Sequence, residues 1–174
     1  YIYRPVNRLD KGTSGLLAVA KTAHAQHRMQ SILHSDLFVR TYTALVTGHM
    51  PSSSGTINLP IAKVSQSGIK REISPAGKPS LTHYRVILEG ETLSLVSLVL
   101  QTGRTHQIRV HLSAVGCPVV GDFLYGEESH LFPQRFALHS SEICLVHPLT
   151  GQRLRVFSPA PQAWMDLVRN TQAF

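Results

Sequence analysis

Residues 80–102, SLTHYRVILEGETLSLVSLVLQT, hold two runs rich in β-branched and large apolar residues on either side of one glycine, Gly90. That composition, broken by a single turn residue, predicts a pair of strands joined at Gly90. Other segments alternate between the two periodicities. GLLAVA (15–20) is a short apolar run and reads as a buried strand. TAHAQHRMQSILH (22–34) predicts a helix with Thr22 as N-cap and Ile32 and Leu33 among its apolar anchors. VRTYTALVTG (39–48) predicts a strand ending at Gly48. TINLPIA, after the loop MPSSSG, predicts a short strand interrupted at Pro60. The segment 66–79, QSGIKREISPAGKP, is polar, basic and twice interrupted by proline, which predicts an exposed loop or loose hairpin. THQIRVHLSAVG (105–116) has helical spacing, with Ile108, Leu112 and Val115 on one stripe and Gly116 as its stop. Turns and short strands follow through LRVFSP, and the chain closes on a helix carrying Trp164, Leu167 and Val168. No repeat, low-complexity tract or linker divides it, so residues 1–174 read as one α+β domain.

Charge narrows the partner. Seventeen Lys and Arg against ten Asp and Glu leave a net charge of +7, and ten histidines stand beside them. Such a balance favours nucleic acid or another phosphate-rich partner. The basic residues are spread along the chain rather than gathered in a tail, which points to a folded binding face. With 43% hydrophobic and 16% charged residues the composition is that of a globular chain. No apolar run approaches the roughly 20 residues of a membrane helix, and no signal peptide opens the sequence. The cytoplasm is the expected compartment, with Cys117 and Cys144 as two reduced, partly buried thiols. The chain begins without Met, inside what reads as a structured element, so its N-terminus is expected to be incomplete.

Two stretches carry candidate chemistry. In NRLDKGTSGLL (7–17), Arg8 and Asp10 flank one leucine just before a glycine-containing turn. Asp first and Gly third is ordinary turn chemistry, and it also suits a carboxylate held still beside a permanent cation. In LQTGRTHQIRVHLSAVGCPVVGDFLYG (100–126) a strand runs into Thr102-Gly103-Arg104 and a helix begins near Thr105. At about 100° per residue, Thr105, His106, Arg109 and Ser113 share a polar face beside the apolar stripe. That face is either solvated or places Arg109 to reach a partner at the core edge. The free N–H groups at a helix start suit phosphate. Metal is disfavoured: His24 and His27 lie three apart on a helix, with no third ligand at motif spacing. GTSGL has the wrong spacing for a nucleophile elbow, and no P-loop or dinucleotide fingerprint occurs.

Together these stretches resemble the RluA-type pseudouridine synthases. NRLDKGTSGLLAVAK is similar to the family's H-R-L-D-x-x-T-S-G-L-L signature, and TGRTHQIRVHLSAVGCPVVGD..YG to its third motif. VRTYTALVTG resembles the K-x-Y-x-A-x-V-x-G strand, GKPSLTHYRV the G-K-x-A-x-T strand, and FSPAP the closing F-x-A-P segment. The matches stand in family order over nearly the whole chain. The resemblance implies a mixed, mainly antiparallel sheet flanked by helices. It also implies isomerisation of uridine to pseudouridine in structured RNA, ribosomal RNA ahead of tRNA, without metal or organic cofactor. By motif position Asp10 is the catalytic aspartate, attacking the ribose C1′. Arg109 pairs with it and fixes its direction. Tyr42 stacks on the target base, its hydroxyl available for proton transfer. Arg8 contacts RNA near the flipped uridine, and Arg104 and His106 contact RNA phosphate or brace the helix start. Asn7, Thr13, Ser14 and Gly15 shape the turn that presents Asp10.

Taken without the resemblance, Tyr42 is a strand tyrosine at the core edge and Arg8 a surface arginine. Several positions depart from the family pattern. Asn7 replaces the usual His and Arg40 the usual Lys. The family's first motif, an N-terminal strand and K-P segment, has no counterpart here, nor does an S4-type domain. The alternative reading is therefore a catalytically impaired RNA-binding module of the same fold. A monomer with no obligatory protein partner is expected, because no partner helix or heptad stands out.

Overall fold

The computed structural model describes residues 2–65 and 68–170. Along the chain run β1 (Ser14–Gly15), α1 (Ala23–Ser31), β2 (Phe38–Thr47), β3 (Ser54–Asn58), β4 (Ile61–Lys63), β5 (Arg71–Ile73), β6 (Leu81–Glu89), β7 (Leu93–Leu100), α2 (Gln107–Ala114), β8 (Leu138–Val146), β9 (Arg153–Phe157) and α3 (Gln162–Asn170). The main sheet has the order β1-β8-β2-β7-β6-β3, with β9 also on β8, and β4 and β5 form a separate two-stranded piece. β1 runs parallel to β8 and the other pairings are antiparallel. The sheet is thus mixed and mainly antiparallel, as expected.

The β6–β7 pair turns at Gly90, whose N–H donates to the Leu93 carbonyl. A bulge between Val86 and Leu88 leaves Ile87 unpaired and half-exposed. β2 lies between β7 and β8, and its consecutive residues Ala44, Leu45 and Val46 are all fully buried. Successive strand residues point to opposite faces, so both faces of β2 are covered here. Ile108 and Leu112 of α2 and Trp164 and Val168 of α3 join this core. Residues after α2 contribute as well: Leu45 N–H donates to Ala137 O, and Val120 N–H to Leu45 O. A second cluster gathers Val6, Ala20, Met29, Phe38 and Ile143.

Three expectations need correction, the last at the end of α1. GLLAVA is not a strand. Only Ser14 and Gly15 pair with β8, at His139 and Ser140. From Glu142 onward that edge of β8 is occupied by β9, so the chain leaves the sheet after Leu16. It continues beside residues 4–6 instead, with Val6 N–H donating to Ala18 O and Ala20 N–H to Arg4 O, and Val19 stays half-exposed. The second correction concerns α2. It begins at Gln107, because His106 takes a left-handed conformation with φ 59°. Residues 107–112 are buried all round, which removes the solvated-face reading.

The polar groups of α2 are correspondingly partnered. Gln107 Oε1 accepts from Thr102 Oγ1 and Arg104 N, while its Nε2 donates to Leu81 O and Thr82 Oγ1. His111 Nε2 donates to the Leu59 carbonyl at 2.9 Å and its Nδ1 lies 2.9 Å from Thr82 Oγ1. A carbonyl can only accept, so Nε2 carries the proton and Nδ1 accepts from the threonine hydroxyl.

Elsewhere, Thr22 caps α1 by accepting from Ala25 N–H. The helix ends at Ser31, leaving Ile32 and Leu33 as turn residues packed on the second cluster. Residues 71–73 pair with 61–63 as the loose hairpin, while 66 and 67 lie outside the described residues. Both cysteines are free thiols. Among the described residues no helix is long and apolar enough to cross a membrane.

Candidate active site

The turn that carries Asp10 closes through Thr13 N–H donating to the Asp10 carbonyl at 2.9 Å. It is anchored on both sides. Upstream, buried Asn7 accepts from Ala18 N–H through Oδ1 at 3.0 Å. Downstream, Ser14 Oγ lies 2.8 Å from His139 Nδ1, and His139 Nε2 donates to Ser158 O at 3.0 Å. Gly15 has φ +100°, and a Cβ there would collide with the Ser140 carbonyl oxygen. Only glycine lets the chain meet β8 at this point. The sequence-predicted supports Asn7, Ser14 and Gly15 therefore hold the turn from outside, whereas Thr13 itself faces the cavity.

The Asp10 side chain, 17% exposed, stands where two cavities adjoin. One is a recess of about 100 Å³ lined by Tyr42, Arg40, Arg104 and Gln107 among others. The other, of about 860 Å³, is bordered by Lys11, Phe123, His130 and Phe136. Arg8, Asp10, His106 and Arg109 belong to both. Of the sequence-predicted residues, the structure brings Asp10, Arg109, Tyr42, Arg8, Arg104, His106 and Thr13 around one recess.

Arg109 reaches Asp10 from 99 positions along the chain, with Nη1 3.4 Å from Oδ2. Its shorter bonds go elsewhere. Nε donates to Asp122 Oδ2 at 2.6 Å and Nη2 to Asp122 Oδ1 at 2.7 Å, a bidentate pair with a fully buried carboxylate. Asp122 in turn accepts from Leu124 and Tyr125 N–H groups. The guanidinium lies 4.2 Å from the Phe136 ring centroid and 5.0 Å from that of Tyr125. Burial pulls the Arg109 pKa down, but the two carboxylates, Asp122 foremost, hold it above its ordinary value. Arg109 is thus a fixed cation: Asp122 and the rings set its position, and Nη1 is the edge it presents to Asp10.

Asp122, Tyr125 and Phe136 are site residues that sequence reasoning missed. Asp122 and Tyr125 stand inside the third motif, which by itself singles out neither of them. The Tyr125 hydroxyl accepts from Arg71 N–H at 2.8 Å and lies 2.8 Å from His106 Nδ1, tying β5 to the start of α2. His106 Nε2 is 4.0 Å from Asp10 Oδ2. Burial lowers the His106 pKa against the pull of Asp10, favouring a neutral ring at pH 7. Tyr42 is buried in β2 between Leu98 and Ser140. Burial raises its pKa, opposed by nearby Arg40 and reinforced by Asp10, so its phenol keeps its proton. Among the described residues no group of three or more His, Cys, Asp or Glu is arranged to hold a metal ion, and His24 and His27 are exposed on α1.

Comparison with known proteins adds an independent line. A family model described as RNA pseudouridylate synthase matches residues 1–114. An uncharacterized RNA pseudouridine synthase of Bacillus subtilis, YhcT, is 42% identical over 95% of this chain and 55% of its own length. The ribosomal large subunit pseudouridine synthase D of Salmonella typhimurium is 39% identical over 94% of this chain and 54% of its own. The chain thus spans about half the length of the curated relatives it matches. Among solved structures, human RNA pseudouridylate synthase domain containing 1 superposes with a TM-score of 0.77 at 32% identity, covering 99% of this chain and 81% of that one.

Proposed function

The chain belongs to the RluA-type RNA pseudouridylate synthase family, and from that premise we propose that it converts specific uridines of ribosomal RNA to pseudouridine with Asp10 as nucleophile. One observation carries the reading. A single carboxylate projects between two adjoining cavities, beside an arginine that a second, buried carboxylate already holds in place. A purely structural ion pair would have needed only Arg109 and Asp122. The additional edge of the guanidinium turned to a partly open aspartate suits a reacting group whose direction must be set before substrate arrives.

In this proposal Asp10 Oδ attacks the ribose C1′ and the C1′–N1 bond breaks, its electron pair leaving with the uracil. The base turns in the site and C5 forms the new bond to C1′ as the aspartate leaves. Loss of the C5 proton and protonation of N1 complete a net isomerisation, so no co-reactant is consumed. Tyr42, across the recess, stacks on the base, and its phenol gives its own proton to N1 as it takes up the proton from C5. Arg8, Arg104 and His106 line the entry and meet the RNA, which must present the uridine out of its stack. The larger cavity is within the size range of small-molecule sites, with room for a nucleotide unit. Asp10 is the carboxylate that both cavities share. The enzyme is proposed to act in the cytoplasm as a monomer, with neither metal nor organic cofactor.

The test is to incubate unmodified ribosomal RNA and tRNA transcripts with the protein and map pseudouridine by carbodiimide adducts and primer extension. Stops in ribosomal RNA that Asp10→Asn abolishes are the expected result. Stops confined to tRNA would refute the substrate class, and stops unchanged in the variant would refute the role of Asp10.

A further inference from the structure

Arg40 is the exception in this protein's treatment of buried charge. It sits in β2 between Phe38, a member of the second apolar cluster, and Tyr42, a member of the first. Its side chain is 95% buried, being only 5% exposed. Nε has no hydrogen-bond partner, and Nη2 reaches the Leu33 carbonyl only at 3.5 Å, the outer limit of a bond. Burial pulls its pKa down, and no carboxylate is among the groups acting against that. Arg109, equally buried, shows how the same protein satisfies a guanidinium that it fixes in place: a bidentate carboxylate and two rings. A buried cation held without such a partner is costly unless something anionic arrives.

What would arrive is indicated by the surroundings. Arg40 lines the recess of about 100 Å³ beside Asp10 and Tyr42, together with Arg8 and Arg104. Arg109 there is matched by Asp122, which leaves Arg8, Arg40 and Arg104 against the single carboxylate of Asp10. Exposed Arg104 stands at the mouth, its Nε donating to Pro79 O. Exposed His34 is beside it, with its ring against Gly103, where a Cβ would come within 2.6 Å of His34 Cε1. Arg40 and Arg104 both act on His34, adding to burial in lowering its pKa. Exposed Arg104 and His34 therefore lie near one buried guanidinium that has no carboxylate partner.

We propose that Arg40, with Arg104 and His34 at its rim, forms a receptor for one backbone phosphodiester of the RNA next to the target uridine. The proposal rests on the RNA-directed reading of the Asp10 site and is independent of the chemical step. Arg40 interrupts the apolar core because the site needs a fixed cation at a depth that a flexible surface lysine does not hold. The receptor gives the recess a preference for a nucleotide within a chain over a free nucleoside.

Sulfate is the probe, titrated at constant ionic strength against chloride while the histidine rings are followed by NMR. His34 is assigned from the His34→Gln variant. Bound sulfate beside His34 favours its protonated form, so its pKa is expected to rise by about half a unit or more. Exposed His24 and His27 serve as references that do not move. In Arg40→Met the response of His34 is lost, whereas Arg40→Lys retains part of it. Binding of transcribed ribosomal RNA gives the second readout. Its log K against log salt slope falls by about one in Arg40→Met and is kept in Arg40→Lys.

A His34 that ignores sulfate in the unmutated protein overturns the proposal, whether or not Arg40→Met folds. So does a folded Arg40→Met with the parent's sulfate response and salt slope. Asp10→Asn keeps the sulfate response, so failure of turnover and failure of anion binding are read separately.

Discussion

Replacing Asp122 by Asn tests the most consequential contact in the site. Asp122 is fully buried and closes two bonds of 2.6 and 2.7 Å onto Arg109 while accepting from Leu124 and Tyr125 N–H groups. Asparagine keeps the shape but offers one acceptor, so its NH2 group faces an arginine N–H or its oxygen abandons the turn. Arg109 is then a buried cation whose remaining carboxylate is Asp10, 3.4 Å away. Breaking a buried pair by neutralising one partner costs about 3–5 kcal/mol. That is a large part of the roughly 5–15 kcal/mol holding a domain folded. In a chain of this size it lowers the melting midpoint on the order of 10 °C. Urea denaturation of parent and variant measures the loss directly. The double variant Arg109→Met with Asp122→Leu should recover most of it, since apolar residues replace the pair together, yet remain inactive. An Asp122→Asn protein within about 1 kcal/mol of the parent would refute this account of Arg109.

Further outcomes follow from the same geometry. Asp10→Asn should change stability by less than about 1 kcal/mol, its ion pair being a single longer contact, while turnover falls by at least about a thousandfold; urea titration and an RNA modification assay separate the two. Gly15→Ala should destabilise by about 2 kcal/mol or more, because the left-handed backbone and the Ser140 carbonyl both oppose a side chain, as a thermal melt would report. Burial lowers the folded-state pKa of His111 and His106. Their contribution to stability is therefore complete above the ordinary imidazole value of about 6.5 and is lost as pH falls below it, where the unfolded chain takes up protons first. The urea midpoint should be lower at pH 5.5 than at pH 7.5, and His111→Gln should flatten that difference.

Much of the fold is legible locally. β2, the β6–β7 pair and the helices announce themselves through periodicity and punctuation at Gly48, Gly90 and Gly116, and Thr22 caps as its residue type suggests. Pairing across long separations is what local pattern does not carry. GLLAVA looks like a strand because it is apolar. It fails as one because β9, more than a hundred residues later, occupies the edge of β8 it would have extended. β8 itself reads as one short strand among several, yet it joins β1, β2 and β9.

The site divides in the same way. Asp10, Arg109 and Tyr42 emerge from the family pattern, and the structure places them around one recess. Asp122 hides behind its own turn chemistry, since an aspartate accepting from N–H groups two and three positions on is a common surface device. Only the docking of residues 117–137 onto the end of β2 converts it into the buried partner of Arg109. Arg40 looks like a conservative exchange in a strand. Its burial without a carboxylate becomes visible only when the clusters on either side are seen.

The most direct measurement is tritium release from [5-³H]uridine-labelled RNA taken from cells lacking the gene, comparing the protein with Asp10→Asn at equal folded concentration. Release by the parent, abolished in the variant, is the predicted result. Equal release by both would contradict the central claim that Asp10 is the group that attacks the nucleotide.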